Sequence, residues 1–214
     1  MKIALIGATG FVGNHLLKEA LHRNYDVTAI VRAPSKLAVN DKHLTVVKGD
    51  VYNEEELAGL LKGHDAIVSA FNSGWQNPNI YNDFMKGSDA INNAAKKAGI
   101  KRIIIVGGAG SLYVAPGVQA VDTPAFPAEW KQGALAARDA LNNIKKENHL
   151  DWTFISPAVN LHPGERTSSF RIGHDEPVTN AKGESSISVE DLAVALFDEL
   201  EKGEFVQKRF TVGY

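Results

Sequence analysis

The sequence predicts an α/β chain built on a doubly wound parallel sheet, and three observations carry that expectation. Six short runs rich in Ile and Val recur, "KIALIG", "DVTAIVR", "LTVVKGD", "DAIVSAF", "RIIIVGG" and "DWTFISP". Each is too continuously apolar for a strand with one wet face and suits a strand covered on both. The segments between them carry helical spacing, so strand and helix alternate along the chain. Finally, Gly7, Gly10 and Gly13 crowd the first junction between a strand and a helix.

The elements follow in order. Ile3 to Ile6 reads as the first strand and Val12 to Arg23 as the first helix, with Val27 to Val31 as the second strand. "LTVVKGD" is the third, and the spacing of Leu57, Leu60 and Leu61 marks a helix after it. "DAIVSAF" is followed by Ala90, Ile91, Ala94 and Ala95 on one helical face, then "RIIIVGG", a helix in "FPAEWKQGALAARDA", and "DWTFISP". Residues 157–187 hold Pro163, Gly164, Gly173, Pro177 and Gly183, so a long loop region with a short hairpin is expected on the substrate side. Helix resumes at "SVEDLAVALFDELEKG", where Ser188 and Asp191 have the spacing of a capping box and Gly203 is a stop.

Composition bounds the function. With 214 residues, 44% hydrophobic, 22% charged and a net charge of −2, residues 1–214 supply one well-filled core and are read as one domain. The absence of cysteine removes disulfides, thiolate metal sites and cysteine nucleophiles, and fits a reducing compartment. The first apolar run is too short for a signal-peptide core, and no stretch approaches the roughly 20 apolar residues of a membrane span, so a cytoplasmic chain without a membrane partner is expected. No basic block is present to capture nucleic acid. Nor is there an H-E-x-x-H or a clustered His/Asp set for a metal, and "GGAGSLY" lacks the G-x-S-x-G of a nucleophile elbow.

The glycines have a physical task at a strand-to-helix turn. Gly7 permits the tight turn, Gly10 lets backbone approach a dinucleotide pyrophosphate, and Gly13 lets helix and strand pack closely. Thr9 adds a hydroxyl donor. The spacing is G-x-x-G-x-x-G in place of the standard G-x-G-x-x-G. After the second strand an acidic residue would read the ribose of NAD; Arg32 stands there, with Ser35 and Lys36 following. A guanidinium grips phosphate and stacks on adenine, so NADP(H) is the expected preference, with NAD(H) the alternative. Asp50 in "KGDV" is placed to meet the adenine amino group, with Val51 beside the ring, or else to start a helix.

"GATGFVG", "GGAGSLYVAPG", "DTPAFPAEWK", "LDWTFISPA" and "ISVEDLAVALFDELEKG" resemble, over essentially the whole chain, the atypical short-chain dehydrogenase/reductase group. That group includes NmrA-like proteins and flavin/biliverdin reductase, and the bacterial NADH-flavin reductase branch, some members of which are named NAD-dependent epimerase/dehydratase, is the most similar. The resemblance implies a Rossmann domain with NAD(P)H along the carboxyl edge of the sheet and a small C-terminal cap over the nicotinamide. Carried onto this sequence, the implied cofactor contacts are Gly7, Thr9, Gly10, Phe11, Val12, Arg32, Asp50, Val51, Ala70, Phe71, Gly107, Pro157 and Ala158.

The catalytic pair of the better-known members of that superfamily, Tyr-x-x-x-Lys, is missing. Four residues beyond Tyr25, Tyr52, Tyr81 and Tyr113 stand Ala29, Glu56, Met85 and Gly117, and Tyr214 is the last residue of the sequence. Lys131 and Arg138 are possible stand-ins for the lysine, with no phenol at the matching step. Hydride transfer to an electrophilic flavin or quinone asks less, because positioning carries most of the catalysis and water can supply a proton. A small-molecule acceptor (flavin, quinone or carbonyl compound) is therefore expected. Ser111 matches the place of the superfamily's active-site serine, or is a Gly-Ser turn. Tyr113 offers a second hydroxyl or packs; Trp75 stacks on a planar substrate or covers the core; His162 donates a proton or is a surface residue. The rival readings are an NmrA-like NAD(P) redox sensor without turnover, though such sensors are usually longer, and a sugar-nucleotide epimerase, which needs the missing tyrosine.

Overall fold

The computed structural model describes residues 1–214. In β1 (Lys2–Ile6) the side chains alternate between two cores: Ile3 and Leu5 are buried under one face of the sheet, Ala4 and Ile6 under the other. The same division holds in β2 (Asp26–Val31), β4 (Ala66–Ser69), β5 (Arg102–Val106) and β8 (Asp151–Ser156), which is why these strands read as continuous apolar runs. With β3 (Leu44–Lys48) they form a parallel sheet in the order β3-β2-β1-β4-β5-β8. α1 (Phe11–His22) and α5 (Val189–Lys202) cover one face; α2 (Glu54–Leu61), α3 (Ile80–Ala98) and α4 (Ala128–Ile144) cover the other. The chain builds outward from β1 to β3, then crosses to β4 on the other side of β1. That reversal opens a crevice at the carboxyl ends of β1 and β4, the place where doubly wound sheets bind ligands.

The sheet has eight strands where the sequence predicts six. β12 (Lys208–Gly213) adds parallel to β8, and β10 (Arg171–Gly173) adds antiparallel to β12 at the edge. β12 escapes an apolar-run search because Lys208, Arg209 and Thr211 interrupt its apolar residues. The expected hairpin in 157–187 is absent. In that segment β9 (Asn160–His162) instead pairs in parallel with β11 (Ser186–Ser188). A hairpin does form outside it, from β6 (Tyr113–Ala115) and β7 (Val118–Gln119), around Gly117 at a φ of +73°.

Capping of α5 is half as expected. Ser188 Oγ accepts from the Asp191 amide at 3.0 Å, and Gly203 ends the helix in the left-handed conformation. Asp191 does not close the box: its carboxylate accepts from the Ser168 amide at 2.8 Å, the Thr167 hydroxyl and the Tyr214 hydroxyl at 2.7 Å. It thereby ties the segment after β9 and the last residue of β12's extension to the start of α5.

A second tie joins that segment to α1. Glu19 is 4% exposed and accepts from Arg23 Nε at 2.7 Å and from Arg166 Nε and Nη2 at 2.7 and 2.9 Å. Burial pushes its carboxyl up, but the hydrogen bonds from Arg166 and Arg23 and the charges of both guanidinium groups together outweigh burial and hold it below its usual value. A carboxylate with a depressed folded pKa contributes stability that is complete above its unfolded pKa and is lost as pH falls through the folded one. Glu19→Gln should therefore cost about 3 kcal/mol at neutral pH, as for breaking a buried pair. Below roughly pH 4.5 its stability should fall less steeply than the parent's. Urea melts at pH 7 and pH 4 measure both; parallel pH profiles would show that Glu19 carries no such linkage.

Candidate functional site

Turn geometry decides what the first glycines do. Gly7 has a φ of +87°, and a Cβ there would stand 2.5 Å from the Ala70 carbonyl oxygen. A Cβ on Gly13 would stand 2.0 Å from the Gly7 carbonyl oxygen, so this glycine is demanded by the close approach of α1 to the turn. Gly10 is different. Its Cβ would meet only Gly7 O, at 3.4 Å, and would otherwise point into open space. Gly10 is the N-cap of α1, no side chain caps the helix, and the first turn holds no acidic residue. The first amides of α1 thus lack intrahelical acceptors, and the positive end of the helix dipole faces an open cradle fit for a pyrophosphate. Thr9 and Phe11 are exposed beside it, and Val12 packs half-buried onto the core.

The other residues of the implied cofactor set come to the same edge because each follows a parallel strand. Arg32 follows β2, Asp50 and Val51 follow β3, Ala70 and Phe71 follow β4, Gly107 follows β5, and Pro157 and Ala158 follow β8. Arg32 is exposed and forms no salt bridge or hydrogen bond within the chain. Asp50 is a turn residue: its carboxylate accepts from the Tyr52 amide at 3.1 Å, and α2 is capped by Asn53, which accepts from the Glu56 amide. Val51, directly after Asp50, packs in the core cluster with Leu57 and Ala58. The Phe71 ring is half-buried against Phe84, with a centroid distance of 5.8 Å, and lies where a Cβ on Gly87 would be 2.4 Å from it. Gly107 answers to packing as well, since a Cβ there would stand 1.8 Å from the Phe154 ring.

Above the carboxyl ends of β5 and β8 lies a cleft of about 750 Å³, lined by Tyr113, Val114, Val159, Glu176, Pro177 and Glu184 among others. This is the size of a small-molecule pocket. Its two walls are the β6–β7 hairpin and residues 176–185, and they are joined by the Tyr113 amide donating to the Asp175 carbonyl at 2.8 Å. A buried guanidinium pins both walls from below. Arg209, on β12, donates Nε to Asp175 Oδ1 at 2.8 Å and Nη1 to Ser111 Oγ and O at 3.2 and 3.3 Å. Its side chain is 1% exposed, whereas that of Asp175 is 59% exposed.

Of the acceptor-side residues expected from sequence, only Tyr113 lines the cleft. Ser111 is 2% exposed and lies behind the wall, engaged by Arg209. Trp75 is outside the lining: it is 57% exposed, and its ring lies over α4, 2.6 Å from where a Cβ on Gly133 would be, so that glycine makes room for the indole. His162 is half-buried on β9 with Nδ1 against the Pro163 carbonyl at 2.9 Å, outside the cleft lining. Arg138 is no free stand-in for a catalytic lysine, because it pairs with Asp122 and Asp139 at 3.0 and 3.2 Å. Sequence reasoning missed Arg209, Asp175 and the two glutamates. Only the lone arginine inside "KRFTVG" signals any of them.

No helix is long and apolar enough to cross a membrane, and no group of three or more His, Cys, Asp or Glu residues is placed to hold a metal ion. The uncharacterised protein YwnB of Bacillus subtilis is 40% identical over 99% of this chain and 98% of its own. A candidate epimerase from Bacteroides thetaiotaomicron is 46% identical and superposes with a TM-score of 0.93 over 100% of this chain and 96% of its own. A candidate NADH-flavin reductase from Streptococcus pneumoniae is 36% identical, with a TM-score of 0.85 over 100% of this chain and 99% of its own. The NAD(P)H-binding family model matches residues 7–202, and the chain, with its doubly wound Rossmann sheet, belongs to that family.

Proposed function

We propose that this protein is an NADPH-dependent reductase that passes hydride to a flavin or quinone-like acceptor held in the cleft above β5 and β8. One observation carries the reading: an open phosphate cradle at Gly10 and an open cleft beside Tyr113 share one edge of the sheet, separated by the crossover between β1 and β4. When bound, the dihydronicotinamide supplies the hydride, two electrons and a proton, while water supplies the second proton that completes the reduced acceptor. The chain's own residues position. The first amides of α1 and the Thr9 hydroxyl would take the pyrophosphate and Arg32 the 2′-phosphate, while Gly107 would lie beside the nicotinamide, with the buried Pro157 and Ala158 supporting that strand end from beneath. The Tyr113 hydroxyl faces the acceptor, and Ser111 supports the wall that carries it. This division needs no Tyr–Lys pair. A reductase of this kind draws on the cytoplasmic NADPH pool, which is where we place the chain.

Arg32→Ala should weaken NADPH binding by about 1–3 kcal/mol, the value of a charge-assisted hydrogen-bonded pair, and NADH binding far less. Calorimetry with both cofactors decides it; equal affinities in the parent would remove the NADP assignment. The function itself is tested by NADPH oxidation across flavins, quinones and small carbonyls, run beside binding. Burial of Ser111 and the missing Tyr–Lys pair favour a second reading, an NAD(P) sensor. Tight cofactor binding with no oxidation of any acceptor is its signature, whereas turnover confined to sugar nucleotides would restore an epimerase.

A further inference from the structure

We propose that the cleft admits acceptors without negative charge and turns away phosphorylated or carboxylated ones, a rule that rests on reading this cleft as the acceptor site. Its walls are apolar at Tyr113, Val114, Val159 and Pro177, surfaces suited to a planar ring. The charged residues of the lining are Glu176 and Glu184, both acidic. Glu184 is held in place by the Asn180 amide, which donates to its Oε2 at 2.9 Å and leaves its charge uncancelled. No lysine or arginine lines the cleft.

The cations nearest the cleft in sequence lie outside its lining. Arg209 lies beneath the wall and is spent on Asp175 and Ser111. Arg171 donates to the Thr179 carbonyl at 2.6 Å and to the Tyr214 carbonyl, and lines the adjoining groove of residues 171–179. Lys182 is exposed in the turn between Asn180 and Glu184 and is not part of the lining. A phosphate entering here would meet two carboxylates and no cation of the lining, whereas an uncharged isoalloxazine or quinone ring would meet apolar wall. Like-charge juxtaposition discriminates between ligands that share a ring, and screening by salt weakens it.

Riboflavin and FMN make the test, because they share the ring and differ in the phosphate. Binding is read by quenching of flavin fluorescence on the protein saturated with NADP+, and turnover by NADPH oxidation. At low salt, riboflavin should bind about tenfold more tightly than FMN, and the ratio should shrink at 0.5 M salt, roughly as the Debye length falls to about 4 Å. In the Glu176→Gln, Glu184→Gln double variant the ratio should fall toward one, with the thermal midpoint serving as the check on folding. FMN binding as tightly as riboflavin in the parent would overturn the proposal, as would a preference that survives in the double variant, or failure of both flavins to bind. Selective riboflavin binding without NADPH oxidation would instead uphold the charge rule and overturn the reductase reading.

Discussion

A Gly10→Val variant folds and does not bind NADPH, while Gly13→Val does not fold to the parent structure: this is the expected contrast at the first turn. The two positions lie three residues apart in one motif, yet their surroundings are opposite. At Gly13 the new Cβ would stand 2.0 Å from the Gly7 carbonyl, a backbone atom that cannot move without shifting the strand end. Overpacking of that kind costs roughly 3 kcal/mol or more. At Gly10 the nearest atom is at 3.4 Å, and the chain has the extended N-cap conformation, φ −81° and ψ 170°, which valine adopts freely. Replacing glycine at an N-cap with an apolar residue costs about 1 kcal/mol. The isopropyl group would nevertheless fill the cradle and separate phosphate from the first amides of α1. Loss of two hydrogen bonds to a charged group, about 1.5–3 kcal/mol each, means a loss of affinity of more than a hundredfold. Calorimetry and a thermal melt on both variants read the contrast; parental affinity in Gly10→Val would mean that the glycine serves the turn alone.

That contrast also marks how far the sequence could be read. The strands with two buried faces announced themselves, since in Ile3 to Ile6 or Ile103 to Ile105 nearly every residue is apolar whichever way it points. The turn glycines were legible because close backbone approach excludes every side chain, and that requirement is local. The site beyond the strand ends was less so. Ser111 was found by its place after the fifth strand, but what faces its hydroxyl is Arg209, 98 positions away. Trp75 invited a stacking role because its partner, Gly133, has no side chain to suggest packing. β12 went unread because its inward arginine breaks the apolar pattern, and that break is what equips it to hold the cleft walls.

Arg209→Met should therefore raise the acceptor KM by about tenfold while leaving the NADPH dissociation constant within roughly twofold of the parent. Methionine keeps much of the volume and none of the charge. Breaking a buried pair is severe when the remaining charge is left buried, but Asp175 is 59% exposed and stays hydrated. The Ser111 carbonyl also keeps a donor, since Gln119 Nε2 reaches it at 3.0 Å. What is lost is the bond to Ser111 Oγ and the link to Asp175, about 1–3 kcal/mol of stability in all. The geometric consequence is larger. Without the guanidinium, the wall carrying Tyr113 and the wall carrying Glu176 keep only the Tyr113–Asp175 backbone bond between them, and the cleft loses its width. The dinucleotide cradle at Gly10 and Arg32 lies across the β1–β4 crossover and shares no contact with Arg209, so cofactor affinity reports on folding. Arg209→Lys offers one point charge where a fork served two partners, and should recover part of the KM. A purely structural arginine would lower the melting temperature of both variants and leave acceptor KM where it was; that outcome would remove Arg209 from the acceptor site.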